Sequence, residues 1–198
     1  MQNTRSNHTA KMVALAILAA IIVVLQLFGS MIHIGPVSFS FVLVPIVIGG
    51  VLYGPGAGLF LGAVFGALTV AGCISGADPG GAVLWTANPL LTAVLCFLKA
   101  MLAGFCSAAV YRLVAKKSSY LGVVLGALSA PVANTAAFCL FLLFPFRSVL
   151  LEWAAGTEVV HYMLFSLVGI NFLVEVGLNM ILCPAIYRIV TVRKHPNP

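Results

Sequence analysis

The stretch NPLLTAVLCFLKAMLAGFCSAAVYRLV, residues 88–114, decides the fold. It opens on Asn88 and Pro89, a good N-cap followed by proline at the first helical position. It then runs apolar to Val114, longer than the ~20 residues that cross a bilayer core, with Lys99 the first charge met along it. The rest of the chain repeats the theme. Its 198 residues are 62% hydrophobic and 7% charged, with a mean hydropathy of +1.16. A soluble domain carries about 25% charged residues, so this chain lacks the polar surface to face water all round. In lipid the backbone must satisfy itself, which leaves a helical bundle or a closed barrel. Long continuous apolar runs exclude the alternating pattern of a barrel. The expectation is one all-α polytopic membrane domain over residues 1–198, with no soluble domain.

Six transmembrane helices are predicted, over about Lys11–Phe28, Phe39–Tyr53, Gly56–Cys73, Pro89–Val114, Tyr120–Phe144 and Tyr162–Val192. The second is short for a span. Gly54-Pro55-Gly56 breaks the chain between the second and third, Lys116-Lys117-Ser118-Ser119 between the fourth and fifth, and Pro145 ends the fifth. The apolar run after Arg5 and Lys11 is long for a signal peptide and five more follow, so a retained first helix is expected.

The formal net charge is +6, but the basic residues sit at helix ends, where snorkelling and topology account for them, and there is no nucleic-acid footprint. With the N-terminus inside, one side of the membrane receives Arg5, Lys11, Arg112, Lys116, Lys117, Arg188, Arg193 and Lys194, and the other only Arg147. The positive-inside rule then places both termini in the cytoplasm. The outer connections, Gly29–Ser38, Gly72–Asn88 and Pro145–His161, are the long ones, as binding loops or lids often are. Specificity for an outside ligand belongs on that face.

Charges at mid-bilayer are costly and usually functional. Lys99 lies eleven positions beyond Asn88, about 16 Å along the helix and so near the midplane. Glu175 is equally central in the sixth helix. Asn88, Thr92 and Lys99 form one stripe, and Asn171, Glu175 and Asn179 another. Asn134 lies midway along the fifth helix. These residues read as a polar patch inside the bundle, opening outward. A buried Lys99–Glu175 pair bridged by asparagines is the structural alternative, and both readings can hold together. Trp85, in an outer loop, stacks on a ligand or serves as an interfacial tryptophan. The outer loops also add Asp78, with His33 and His161 as lone residues whose solvation accounts for them.

Gly54, Gly58, Gly62 and Gly66 make one smooth face, and Gly122, Gly126 and Ala130 a weaker one; both read as close internal packing. Ala16 and Ala20, with Ala10 and Ala14 before them, make a similar face on the first helix, where docking to another membrane subunit competes with packing. The five cysteines are scattered through apolar stretches without CxxC spacing and read as buried thiols rather than a metal site. HExxH, GxSxG and the Walker glycine-lysine loop are missing, so neither catalysis nor ATP hydrolysis is expected of this chain, and no cofactor.

Several segments together resemble the substrate-binding S component of energy-coupling factor (ECF) vitamin transporters. They are Ala14-Leu15-Ala16-Ile17-Leu18-Ala19-Ala20, then Gly49-Gly50-Val51-Leu52-Tyr53-Gly54-Pro55-Gly56-Ala57-Gly58, then Asn88-Pro89 with Phe97-Leu98-Lys99-Ala100-Met101-Leu102-Ala103-Gly104, and last Asn171-Phe172-Leu173-Val174-Glu175 with Asn179. Their order covers nearly the whole chain. The resemblance implies a vitamin-like solute bound near the outer face of a bacterial plasma membrane. Its pocket would be formed by the fourth to sixth helices and the outer loops. Ala16 and Ala20 would match the motif that meets the transmembrane coupling subunit, and two ATPase subunits would supply energy. The Asn-Pro and Asn-Phe-Leu-x-Glu motifs are most similar to the pantothenate-type branch. Pantothenate is a carboxylate with amide and hydroxyl groups that a lysine and asparagines can satisfy. The chain begins Met1-Gln2-Asn3 with a single His8, unlike the metal-transporting branch. Two rival functions stay open: a self-sufficient secondary carrier using Lys99 and Glu175 for proton coupling, and an assembly protein of the membrane without a ligand.

Overall fold

The computed structural model describes the backbone of residues 2–29, 33–34, 37–38 and 41–194, with side chains from 8–29 and 41–192 apart from 164, 166, 167 and 170. It is helical almost throughout. In chain order come α1 (Gln2–Gly29), α2 (Leu43–Tyr53), α3 (Pro55–Ser75), α4 (Pro79–Ala87), α5 (Pro89–Val114), α6 (Ser119–Leu143), α7 (Arg147–Ala154) and α8 (Val159–His161). A π-helical segment, Tyr162–Val168, then leads into α9 (Gly169–Lys194). Between α1 and α2 two short strands, β1 (His33–Ile34) and β2 (Val37–Ser38), pair antiparallel.

The local signals act as the chemistry requires. Asn88 caps α5 by accepting from the Leu91 N–H at 3.1 Å, ahead of Pro89. Ser118 caps α6 on Leu121, and Asp78 caps α4 on Gly81. Gly54 joins α2 to α3 at φ 95°, a backbone that suits glycine, and a Cβ there would strike the Arg112 guanidinium.

Among the described residues, five helical stretches are long and apolar enough to cross a membrane: His8–Gly29, Pro55–Ser75, Pro89–Val114, Ser119–Leu143 and Asn171–Val192. The predicted second span is an 11-residue helix, about 16 Å at 1.5 Å per residue against a ~30 Å core. Its predicted start at Phe39 lies outside the described residues, as does half of the expected Gly29–Ser38 loop, whose described part holds β1 and β2. The other two long connections, read from the sequence as loops, contain short helices. They hold α4 and α7, because Asp78-Pro79 is a helix start and Leu84, Val149 and Leu150 bury apolar faces over the bundle end. The sixth predicted helix also begins in π rather than α register, with Met163 and Val168 packed into the same cluster.

Burial is inverted relative to a soluble protein. On α9, Glu175 is 1% exposed while Leu173 is 68% and Ile181 75% exposed. Such an arrangement suits a helix with lipid outside and a polar interior. The bundle is held by small residues. A Cβ on Gly58 would run into the Gly104 backbone, one on Gly104 into Gly58, and one on Gly62 into Ala100, so α3 and α5 meet backbone to backbone. Gly126 sets α6 on α5 in the same way, with its Cβ position 2.9 Å from the Ser107 carbonyl oxygen. The glycine stripes thus serve internal packing, as read from the sequence. By contrast α1 lies at the edge of the bundle, with Ala16 and Ala20 exposed beside Met12, Val13 and Ile17.

Candidate functional site

A cavity of about 80 Å³ opens among α3, α4, α5, α6, α7 and the start of α9. On this measure one water needs ~10–15 Å³, so there is room for several waters or the body of a small solute. The cavity takes the C-terminal end of α3 (Thr69, Cys73), the N-terminal half of α5 (Thr92, Cys96, Lys99), the C-terminal half of α6 (Asn134, Thr135, Phe138) and the start of α9 (Asn171, Glu175). Asp78, Leu84 and Trp153 close it from the shorter elements. It therefore sits at the end of the bundle remote from the Gly54-Pro55 turn and the Lys116-Lys117 connection. At that other end a more open recess is lined by Val51, Tyr53, Gly54, Tyr111 and Arg112. None of the unpartnered buried polar side-chain atoms found among the described residues lines that recess, so the first cavity is the stronger site.

Of the residues singled out in the sequence, Thr92, Lys99, Asn134, Asn171 and Glu175 line this cavity. Asn88, Asn179 and Trp85 do not. Asn88 spends its side-chain oxygen on the helix cap. Asn179 lies one turn beyond Glu175, and its Nδ2 donates to the Glu175 carbonyl oxygen at 2.8 Å. Trp85 is half-buried on α4 and stays off the cavity wall, and Trp153 of α7 reaches it instead. Trp153, Phe138, Thr135, Thr69, Cys73 and Cys96 were not picked out. Helical spacing offered a signal for most of them. Cys96 follows Thr92 by four and precedes Lys99 by three, Phe138 follows Asn134 by four, and Cys73 follows Thr69 by four.

The polar groups divide into engaged and free atoms. Asn171 Nδ2 donates to Glu175 Oε1 at 3.3 Å. Glu175 Oε2, Asn171 Oδ1 and Asn134 Oδ1 are buried without a partner. The Thr92 and Thr69 hydroxyls donate to the Asn88 and Phe65 carbonyl oxygens of their own helices, each at 2.9 Å. The Lys99 ammonium lies 5.3 Å from the centroid of the Phe138 ring, within cation–π range. Lys99 and Glu175 share the cavity, yet no contact of 4.0 Å or less joins them, so the direct ion pair considered as an alternative is not formed. The Cys73 and Cys96 sulfurs lie 4.0 Å apart in the wall, as free thiols. Among the described residues no group of three or more metal-ligating side chains occurs.

One cation, two carboxyl groups and two amides around a small cavity suit reversible capture of a polar solute, and nothing among them is arranged as a nucleophile with its base. No curated protein is significantly similar in sequence. The family model described as ECF transporter, substrate-specific component, matches residues 10–189, nearly the whole chain. Members of that family are transport subunits rather than enzymes, serving a small-molecule substrate together with an ECF module. With its long apolar helices and a match of that extent, this chain is a multi-pass membrane protein belonging to the ECF transporter substrate-specific component family.

Proposed function

We propose that this chain captures a vitamin-like solute from the outer face of a bacterial plasma membrane, with pantothenate the leading candidate. Lys99 takes the solute's carboxylate. Asn134, Asn171, Glu175 and Thr92 hold its hydroxyl and amide groups. Asn88 and Asn179 support the site from behind, by capping α5 and by bracing α9, while Trp85 packs at its rim. The observation that carries the reading is the convergence of Lys99, Asn134, Asn171 and Glu175, from three helices, on one cavity. The cavity lies at the bundle end away from Arg112, Lys116 and Lys117, which supports an outward opening with six crossings and both termini inside.

In the same reading, Ala16 and Ala20 dock on the transmembrane coupling subunit, and two ATPase subunits drive release inward. The exposure of both alanines on α1 supports this. The test is to purify the chain, identify any solute carried with it by mass spectrometry, and titrate it with pantothenate. A bound vitamin-like carboxylate is expected. A protein that carries nothing and binds nothing refutes capture. Uptake by the lone chain in vesicles under a proton gradient would replace the subunit reading with a carrier.

A further inference from the structure

We infer that the solute presents at least two N–H or O–H donors to a pole formed by Glu175, Asn134 and Asn171, besides the group it offers to Lys99. The inference rests on the capture reading above and adds the chemistry of the solute's remaining polar groups.

The fully buried side-chain atoms left without partners in the wall are acceptors. Asn171 Nδ2 occupies Glu175 Oε1, which fixes both side chains and leaves Glu175 Oε2 and Asn171 Oδ1 without partners. Asn134 Oδ1 is a third. Glu175 and Asn134 are 1% and 7% exposed, so solvent does not satisfy them freely. A buried acceptor without a donor costs about 1–3 kcal/mol. Thr69 and Thr92 add to the bias, because their hydroxyl protons already serve carbonyls of their own helices and only lone pairs remain for the cavity. Ser107 Oγ and Asn179 Oδ1 are also buried and unpartnered, but neither lines the cavity. A solute made only of acceptors would set lone pair against lone pair at this pole. One bearing hydroxyl, amide or amine hydrogens would complete it. Lys99, a donor with no acceptor of its own, supplies the opposite polarity.

The test compares two probes on the purified full chain: pantothenate, and the same molecule with both hydroxyls replaced by hydrogen. Each lost hydrogen bond is worth about 0.5–1.5 kcal/mol, so the dideoxy analogue should bind about 5- to 150-fold more weakly. Glu175→Gln puts an NH2 in place of the free oxygen. It should weaken pantothenate at least tenfold while moving the analogue's Kd less than about threefold. Equal affinity of the two probes for the unaltered protein overturns the inference, whether or not the variant folds. So does an equal loss for both probes in Glu175→Gln. If pantothenate does not bind, the solute carried through purification decides. A donor-bearing solute upholds the pole and retires pantothenate. A solute whose only polar groups are acceptors overturns the pole and leaves capture standing. No solute and no binding overturn both.

Discussion

Replacing Lys99 by methionine separates recognition from folding. The side chain keeps its length and loses its charge. Lys99 is half-buried in the cavity wall, and its nearest recorded partner is the Phe138 ring at 5.3 Å. No carboxylate lies within 4.0 Å of it among the described residues. Removing the ammonium therefore breaks no contact ion pair, the step that costs about 3–5 kcal/mol when the pair is buried. What the fold loses is one direct cation–π contact, worth about 0.5–1 kcal/mol, together with the longer-range attraction between Lys99 and the buried Glu175. What binding loses is a hydrogen bond between charged groups, worth about 1.5–3 kcal/mol. At 1.4 kcal/mol per factor of ten, that is about a 10- to 150-fold rise in Kd for a carboxylate solute. Calorimetric titration with pantothenate reads the binding term, and detergent thermal denaturation at fixed protein concentration reads the folding term. Wild-type affinity in a folded Lys99→Met protein refutes the placement of the carboxylate at Lys99. A protein that no longer folds refutes the claim that Lys99 is free of structural duty.

Other perturbations probe the frame and the docking face. Gly58→Ala forces a methyl into the Gly104 backbone and should destabilise by about 3 kcal/mol or abolish folding, whereas Gly56→Ala meets open space and should be neutral within ~1 kcal/mol; comparative thermal denaturation in detergent checks both. Ala16→Trp or Ala20→Trp should leave solute affinity unchanged and abolish uptake by the assembled transporter, since both positions are exposed on α1 away from the cavity; unchanged uptake removes α1 as the docking face. Bound solute should slow alkylation of Cys73 and Cys96, which line the cavity, and leave Cys106 labelling unaltered; peptide mass spectrometry resolves the three.

The spans were legible because hydropathy and chain length act locally, and the turns at Gly54-Pro55 and Asn88-Pro89 announce themselves by chemistry. The glycine stripe on α3 announced a close approach, but its partner, the backbone around Gly104 on α5, emerges only when the helices are docked. Lys99 and Glu175 stood out because a charge in an apolar run has few explanations. Whether they touch depends on side-chain direction and helix rotation, which spacing along one helix does not fix. The short helices α4 and α7 were hidden for a similar reason. Leu84, Val149 and Leu150 look like ordinary loop hydrophobics until the end of the bundle gives them a surface to cover. Trp153 reaches the cavity, and Trp85 does not, through the placement of those same short helices.

Frame and site use the same helices but different faces, and this decides how their substitutions should couple. On α5, Ala100 packs against Gly62 while its neighbour Lys99 lines the cavity. On α6, Gly126 rests on Ser107 while Asn134, two turns further along, faces the solute space. The small-residue contacts hold the backbones at fixed separation, which fixes the depth at which Lys99, Asn134 and Glu175 meet. Conservative changes at the cavity's polar side chains should then alter affinity more than stability, because the backbone-to-backbone contacts between helices do not run through them. Changes at Gly58, Gly62 or Gly104 should reduce stability and affinity together, since parting α3 from α5 also moves Thr69 away from Thr92. A Gly62→Ala protein that stays fully stable yet loses its solute would break this separation of roles.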